Sequence, residues 1–333
     1  MANSTNDKEL YWEHMKILME EYKSNHFLFN KWQVEYRKQR LKDERVKFTD
    51  MSLTLEDDEG PYFGFVGFRE IGEIVRSGEL PCSTREKTNL SRGQKKEIRK
   101  FIDKIIATSN ELKIIDFLDR GKISYACDYI MSEKKEFRSN TKYNRLIELD
   151  SEEEMLKNQI RKRYKSFIAW GQKNLRIEIT DRANVDAERF NRFMEFRELH
   201  DTCAGRRTRS RDTWLIQYEA IKEGYGYFIT GYRNGEMVTG GVFNLTSNYA
   251  YYGSSASRRE MFNKPMFHAV MWEAIKYAKT KGAKYFDTGE CNLLTDSDIK
   301  TKTDKQIAIS NFKAGFGGKL MPRIELYAEK NEG

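Results

Sequence analysis

Lys313 stands in the stretch "SNFKAGFGGKL", Ser310 to Leu320, between Phe312 and the glycines Gly315, Gly317 and Gly318. An ammonium group ahead of a glycine-rich turn can hold an anion or a developing negative charge. It can equally be a surface lysine at a helix C-terminus, where cations are favoured anyway. Lys305, eight residues earlier on roughly the same helical face, can assist with a phosphate or simply face solvent. Asp287 and Glu290 close the segment "YFDTGE". Either carboxylate can take a proton, and Asp287 can instead cap the loop that follows. Basic residues cluster in two places. Seven Lys or Arg and no acid lie between Met155 and Arg176, and Arg206, Arg207, Arg209 and Arg211 fall within six residues. Such clusters point to phosphate, nucleotide, RNA or an acidic headgroup, against the plainer alternative of a solvated basic surface.

Other chemistry is less supported. His268 lies on a largely apolar helix and reads as a core or edge histidine. "GSSAS" is not a GxSxG nucleophile elbow. The four cysteines, Cys82, Cys127, Cys203 and Cys291, are far apart, and "HDTC" is an isolated pair, so neither a zinc site nor a disulfide framework is expected. No metal and no cofactor are expected.

The chain has 333 residues, 39% hydrophobic and 33% charged, with a net charge of +8, which suits two ordinary soluble domains. No apolar run is long enough to span a bilayer, and the first residues lack a signal-peptide pattern, so a cytoplasmic location is expected.

These residues need elements to position them. In the first 150 residues, an amphipathic helix precedes strands in "VKFTDMSLTLE" and "PYFGFVGF", a helix capped by Ser91, and strands in "LKIIDFL" and "NRLIELD". "SEEEMLKNQIRKRYKSFIAWGQKN", 151–174, reads as one long basic helix able to join two domains. "YGYFITGYR", "EMVTGGVFNL" and "YAYYGSSA" read as an antiparallel meander around an Asn234-Gly235 hairpin. Tyr251 and Tyr252 lie on its last strand, one facing core and the other a cleft. A helix from Pro265 to Gly282 follows, then the strand "KYFDTG", a helix capped by Asp304, and a final strand "RIELYAEK".

This order and several segments resemble the Gcn5-related N-acetyltransferase (GNAT) superfamily, and within it the Fem-type aminoacyltransferases. "KNQIRKRYKSFIAWGQKNLRIEI" is similar to the family's basic helix and strand. "YAYYGSSASRREMFNKPMFHAVMWEAIKYAKTKGAKYFDTGE" is similar to its strand, loop, helix and "FD-G" strand, and "KQIAISNFKAGFGGKL" to its "FK-x-GFG" signature. The resemblance covers about residues 145–330 and is weak before them. It implies a mixed α/β fold of two tandem GNAT-like domains, 1–150 and 151–333, although no internal repeat shows in the sequence.

The resemblance also implies a reaction. An amino acid, carried on tRNA, moves to an amine of a cell-envelope precursor; in other relatives the donor is undefined. Lys313 would then contact the developing oxyanion or the donor's ribose and phosphate. Phe312 would wall the pocket, and the glycines would let the backbone turn sharply and approach substrate. Asp287 or Glu290 would take the amine's proton. One of the four arginines would bind phosphates of the acceptor, and Tyr252 would face substrate. Acetyl-CoA enzymes of this fold carry a glycine-rich pyrophosphate loop where this chain reads "SASRREMFNKP". Those glycines are absent, so Arg258 and Arg259 would have to hold phosphate by charge.

The expected function is thus N-acyl or aminoacyl transfer to an amine of an envelope precursor or nucleotide-linked amino sugar, with aminoacyl-tRNA or acyl-CoA as donor substrate. The alternatives are an acyl-CoA-dependent N-acyltransferase of GNAT type and a non-catalytic tRNA- or RNA-binding protein. The latter lacks a visible RNA module. Peripheral association with a membrane fits the basic helix, whose apolar residues are more simply core, and no DNA partner is expected.

Overall fold

The computed structural model describes residues 3–5, 7–20, 29–70, 82–109, 111–117, 122–261, 263–294 and 299–329. The first elements in chain order are β1 (Asn3–Thr5), α1 (Lys8–Glu20), α2 (Lys31–Asp43), β2 (Phe48–Asp50), β3 (Leu53–Asp57), β4 (Gly60–Val66), β5 (Phe68–Glu70) and β6 (Cys82–Glu86). They continue with α3 (Arg92–Thr108), β7 (Glu111–Asp116), α4 (Tyr125–Glu133) and β8 (Arg138–Glu148). Then come α5 (Glu153–Gln159), α6 (Lys162–Asn174), β9 (Arg176–Thr180), α7 (Ala187–Ala204), α8 (Arg211–Lys222), β10 (Gly226–Arg233), β11 (Glu236–Leu245) and β12 (Tyr249–Ser257). The last are α9 (Met266–Thr280), β13 (Tyr285–Cys291), α10 (Asp304–Ala314) and β14 (Lys319–Glu329).

These elements form two compact units that do not follow the chain linearly. The first comprises residues 1–25, 41–142 and 322–333, and the second residues 26–40 and 143–321. The chain leaves the first unit within β8 and returns to it within β14. Strand order in the first unit is β1-β3-β4-β6-β7-β14, and in the second β9-β10-β11-β12-β13-β8. Both sheets repeat one pairing sequence: three antiparallel pairs, one parallel pair, then an antiparallel pair. The duplication that no residue pattern displays is therefore present in the topology.

In the first unit, Phe63 and Phe65 of β4 pack with Ile98, Ile102 and Ile105 of α3 and Ile130 of α4. These isoleucines recur at helical spacing. Ser91 caps α3 and forms a reciprocal capping box with Gln94.

In the second unit, the sheet is covered on both faces. Neighbouring residues Val242 and Phe243 of β11 point to opposite sides, as strand alternation requires. Phe243 joins Ile147, Tyr227 and Phe286 under Ile168 of α6 and Val270 and Ile275 of α9. Val242 joins Phe193 and Phe196 of α7 and Trp214 of α8.

Two local expectations change. The basic stretch is not one helix. It breaks at Ile160, which is extended, and restarts at Lys162. The break turns the Arg161 N–H onto the Gly315 carbonyl, at 2.9 Å. The N-cap of α10 is Thr303 rather than Asp304, because Gln306 sits three residues later and completes a capping box. Among the described residues, no helix is long and apolar enough to cross a membrane.

Candidate functional site

The site forms where β12 and β13 part. These parallel strands share only three register pairs, Tyr249↔Tyr285, Ala250↔Phe286 and Tyr251↔Asp287. Beyond them the strands diverge. A bulge follows on β12, where the pairing with β11 skips Gly253, and a residue left out of a ladder re-aims its neighbours. Opposite, β13 turns at Gly289, whose φ of +88° favours glycine.

Lys313, near the C-terminal end of α10, reaches into this gap. Its Nζ donates to the Glu290 carbonyl at 2.7 Å. A Cβ on Gly289 would lie 3.1 Å from that nitrogen and 3.2 Å from the Tyr251 hydroxyl. The ammonium and the phenol therefore converge on one point that only glycine leaves open. Of the two tyrosines, Tyr251 faces this point, whereas Tyr252 packs between Phe243 and Phe267 and bonds Ser255 through its hydroxyl.

Asp287 sits beside Lys313 with no exposed surface. It accepts from the Tyr249 hydroxyl at 2.5 Å, the Asn144 amide at 2.7 Å and the Gly289 N–H at 2.6 Å. Burial pushes its carboxyl up, while these donors and the Lys313 charge pull it back. The Gly289 bond is the loop-capping contact considered for Asp287 from the sequence. Glu290 is partly exposed at the strand's end.

Phe312 belongs to a ring cluster with Phe267 at 6.0 Å, His268 at 5.1 Å and Phe316 at 5.2 Å between centroids. His268 lies edge-on to Tyr164 and Phe167 as well. Burial pushes its imidazole down to about 4, so it is neutral near pH 7. Arg161 and Arg163 of the basic stretch lie over the Tyr164 and Phe167 rings. The glycines after Lys313 make the sharp turn expected of them, with φ of +87° at Gly317 and +79° at Gly318, and they also pack closely. A Cβ on Gly317 would lie 2.9 Å from Gln159, and one on Gly318 would lie 2.6 Å from the Leu146 carbonyl. Their small size lets the chain pack against itself. Lys305 is exposed on the first turn of α10.

On the other face of the sheet, the arginine-rich segment joins α7 to α8. Arg206, Arg207 and Arg211 are exposed, and Arg209 alone turns inward. Its Nη2 donates to Ser254 Oγ at 2.8 Å. Its guanidinium lies 4.8 Å from the Trp214 ring centroid and 5.8 Å from that of Tyr36. Nη1 is buried without a hydrogen-bond partner, and Arg209 has no ion pair among the described residues. Burial works against its charge, and nearby Arg40 adds to that. The charge of Asp201 offsets this in part but makes no ion pair with Arg209, and an anion on the unpartnered Nη1 would complete the arrangement. The sequence marked the cluster but not which arginine turns in, because Trp214 is close in the chain while the partners Tyr36 and Ser254 come from distant segments.

Arg258 is engaged within the protein. It donates to the Met237 carbonyl at 3.0 Å and pairs with Glu260 at 3.4 Å and Glu236 at 3.6 Å. Arg259 is exposed beside it.

The first unit has the same parting of strands. Its parallel pair, β6 and β7, shares only Cys82↔Ile114 and Ser83↔Ile115. Here the gap is closed by the chain itself. Glu86 accepts from the Tyr125 and Ala126 N–H groups of α4, and Asp116 accepts from the Ser124 N–H at 2.7 Å. The open gap belongs to the second unit.

No protein-family model matches the chain, and no curated protein sequence matches it. Solved structures do. FemX aligns over 97% of this chain and 96% of its own, with a TM-score of 0.69 at 13% identity. The chain has the Fem-like tandem GNAT fold. The C-terminal domain of a protein described as a lysylphosphatidylglycerol synthetase, from Agrobacterium fabrum, aligns over 97% of this chain and 92% of its own, with a TM-score of 0.60 at 12% identity. A tandem GNAT protein from the clavulanic acid biosynthesis pathway aligns over the full length of both chains, with a TM-score of 0.50 at 10% identity.

Proposed function

We propose that this protein is an acyltransferase that moves an acyl or aminoacyl group to an amine of a phosphate-bearing acceptor, with the reaction in the second unit. The observation that carries this reading is Lys313 in the gap between β12 and β13, converging with Tyr251 on Gly289. The names of the similar structures, FemX and a lysylphosphatidylglycerol synthetase among them, support group transfer of this kind.

The acceptor amine, after losing its proton, attacks the carbonyl carbon of the donor ester or thioester. A C–N bond forms, and the carbonyl electrons become an oxyanion. The Lys313 ammonium stabilises that charge, a term worth about 3–4 kcal/mol for one well-placed donor. The oxyanion then collapses, the C–O or C–S bond breaks, and the departing oxygen or sulfur takes a proton. Asp287 is sealed from solvent and instead orders the strand end, which leaves Glu290 as the carboxylate with access to the amine's proton. Arg209, with Arg40, holds an acceptor phosphate on the α7–α8 face.

Aminoacyl-tRNA is the favoured donor, because the β12–α9 connection has no glycine-rich loop and Arg258 is already paired. An envelope precursor or nucleotide-linked amino sugar is the favoured acceptor. The test is incubation with charged tRNA and, separately, acyl-CoAs, against UDP-linked amino sugars and peptidoglycan precursors, read by mass spectrometry. The expected product is an acceptor heavier by one aminoacyl residue in the tRNA arm. Transfer in the CoA arm alone would reverse the donor assignment, and transfer in neither would remove the enzyme reading.

A further inference from the structure

A cleft of about 250 Å³ lies between the outer face of α7 and the β12–α9 connection, lined by Glu195, Glu198, Thr202, Arg259 and Glu260 over a floor that includes Leu199, Cys203 and Met237. Its charged groups divide into two sets. Arg258 and Glu260 are paired with each other, and Cys203 donates its thiol to the Ser257 carbonyl at 3.0 Å. Among the described residues, the side chains of Glu195, Glu198, Thr202 and Arg259 have neither a hydrogen-bond nor an ion-pair partner. Two carboxylates and one guanidinium thus line one cleft without closing on one another.

This pattern argues against the phosphate that Arg259 suggests in sequence. A phosphate brought to Arg259 would share the cleft with Glu195 and Glu198, whose like charge opposes it. The complement is a small molecule with one carboxylate, two ammonium groups and an apolar stem between its ends. We propose that this cleft binds a diamino monocarboxylic acid of the lysine or ornithine kind. The carboxylate pairs with Arg259 in a two-pronged bond. The two ammonium groups meet Glu195 and Glu198, one turn apart on α7. The methylene stem lies on Leu199 and Met237, and Thr202 supplies a further hydrogen bond. The inference is independent of the proposed transfer reaction.

Calorimetry on the full chain with free lysine, cadaverine, norleucine, inorganic phosphate and coenzyme A tests it, with thermal melts confirming that each variant is folded. Lysine should bind with a Kd of about 1 mM or tighter. Cadaverine, which lacks the carboxylate, and norleucine, which lacks the second ammonium, should each bind at least about tenfold more weakly, equivalent to 1.4 kcal/mol. Arg259→Gln should weaken lysine and leave cadaverine unchanged. Glu198→Gln should weaken lysine and leave norleucine unchanged. Phosphate or coenzyme A binding that Arg259→Gln abolishes would make this an anion site and overturn the proposal. So would lysine binding indifferent to both substitutions, or no saturable lysine binding at all.

Discussion

The ring of Tyr164 fills the space where a side chain at Gly315 would begin. The same glycine is tied a second time, since the Arg161 N–H, three residues before Tyr164, donates to the Gly315 carbonyl at 2.9 Å. The turn that follows Lys313 is therefore clamped against α6, and the lysine's position depends on a tyrosine about 150 residues earlier in the chain. Gly315→Ala should destabilise the second unit by at least the ~1–3 kcal/mol of an overpacked core. Combining it with Tyr164→Ala should recover part of that loss, a coupling read from a double-mutant cycle of urea unfolding. Simple additivity of the two changes would show that the ring does not set the glycine requirement.

Lys313→Ala should lower kcat by about 10²–10³ with the melt little changed. Lys313→Arg should rescue only in part, because a planar guanidinium does not replace a compact ammonium. Lys305→Ala, on an exposed turn, should cost far less. Turnover and a melt for each variant decide it, and full activity in a folded Lys313→Ala protein would reduce the lysine to a helix-end cation.

Gly289→Ala should act on the same centre while Lys313 itself stays unsubstituted. The positive φ costs about 1–2 kcal/mol for an L-residue, and the new methyl would lie 3.1 Å from the ammonium. The expected result is a modest fall in stability with a disproportionate fall in kcat, and a variant that loses both in step would point to general unfolding.

Arg209→Ala should raise the acceptor KM roughly ten- to hundredfold, the value of one or two charge-assisted bonds. The same change at the exposed Arg206 or Arg207 should do much less. Acceptor binding should weaken with salt in the native protein, and less steeply in Arg209→Ala. Equal KM effects across the cluster would assign the whole segment to diffuse attraction.

His268 supplies a pH test. Its folded value, about 4, lies below the ordinary 6.5. Protonation is thus easier in the unfolded chain, so its contribution is fully present above about pH 6.5 and is lost as pH falls towards 4. His268→Phe should flatten that acid limb of stability, measured as unfolding free energy at pH 7 and pH 4.5. An unchanged limb would place the acid sensitivity elsewhere.

Much of this architecture is visible in the residues. The meander, the helix α9 between Pro265 and Gly282 and the Ser91 cap are local patterns, and short-range chemistry marks them. The arginine cluster is visible for the same reason, whereas Lys313 stands out through the resemblance of its segment to the family's signature. What stays hidden depends on distant contacts. The residues around Arg209 do not by themselves distinguish it from Arg207, because Tyr36 and Ser254, which complete its setting, come from distant segments. Nothing near residue 160 predicts the break in the basic helix, where the Arg161 N–H bonds the distant carbonyl of Gly315. The duplicated topology is hidden for a third reason: strand pairing constrains backbone order and alternation, and many unrelated side chains satisfy both.

The exchange of strands has a consequence for how the protein is made. Residues 111–116 of β7 wait for residues 324–329 of β14 to pair with them. As the chain emerges from the ribosome, the second unit can gather most of its strands before the first unit has its last one. The half synthesised first is thus the half completed last, and it holds an unpaired, hydrogen-bonding edge throughout translation. Expressing residues 1–150 alone would make that exposure permanent, because the strand that covers the edge lies at residues 324–329.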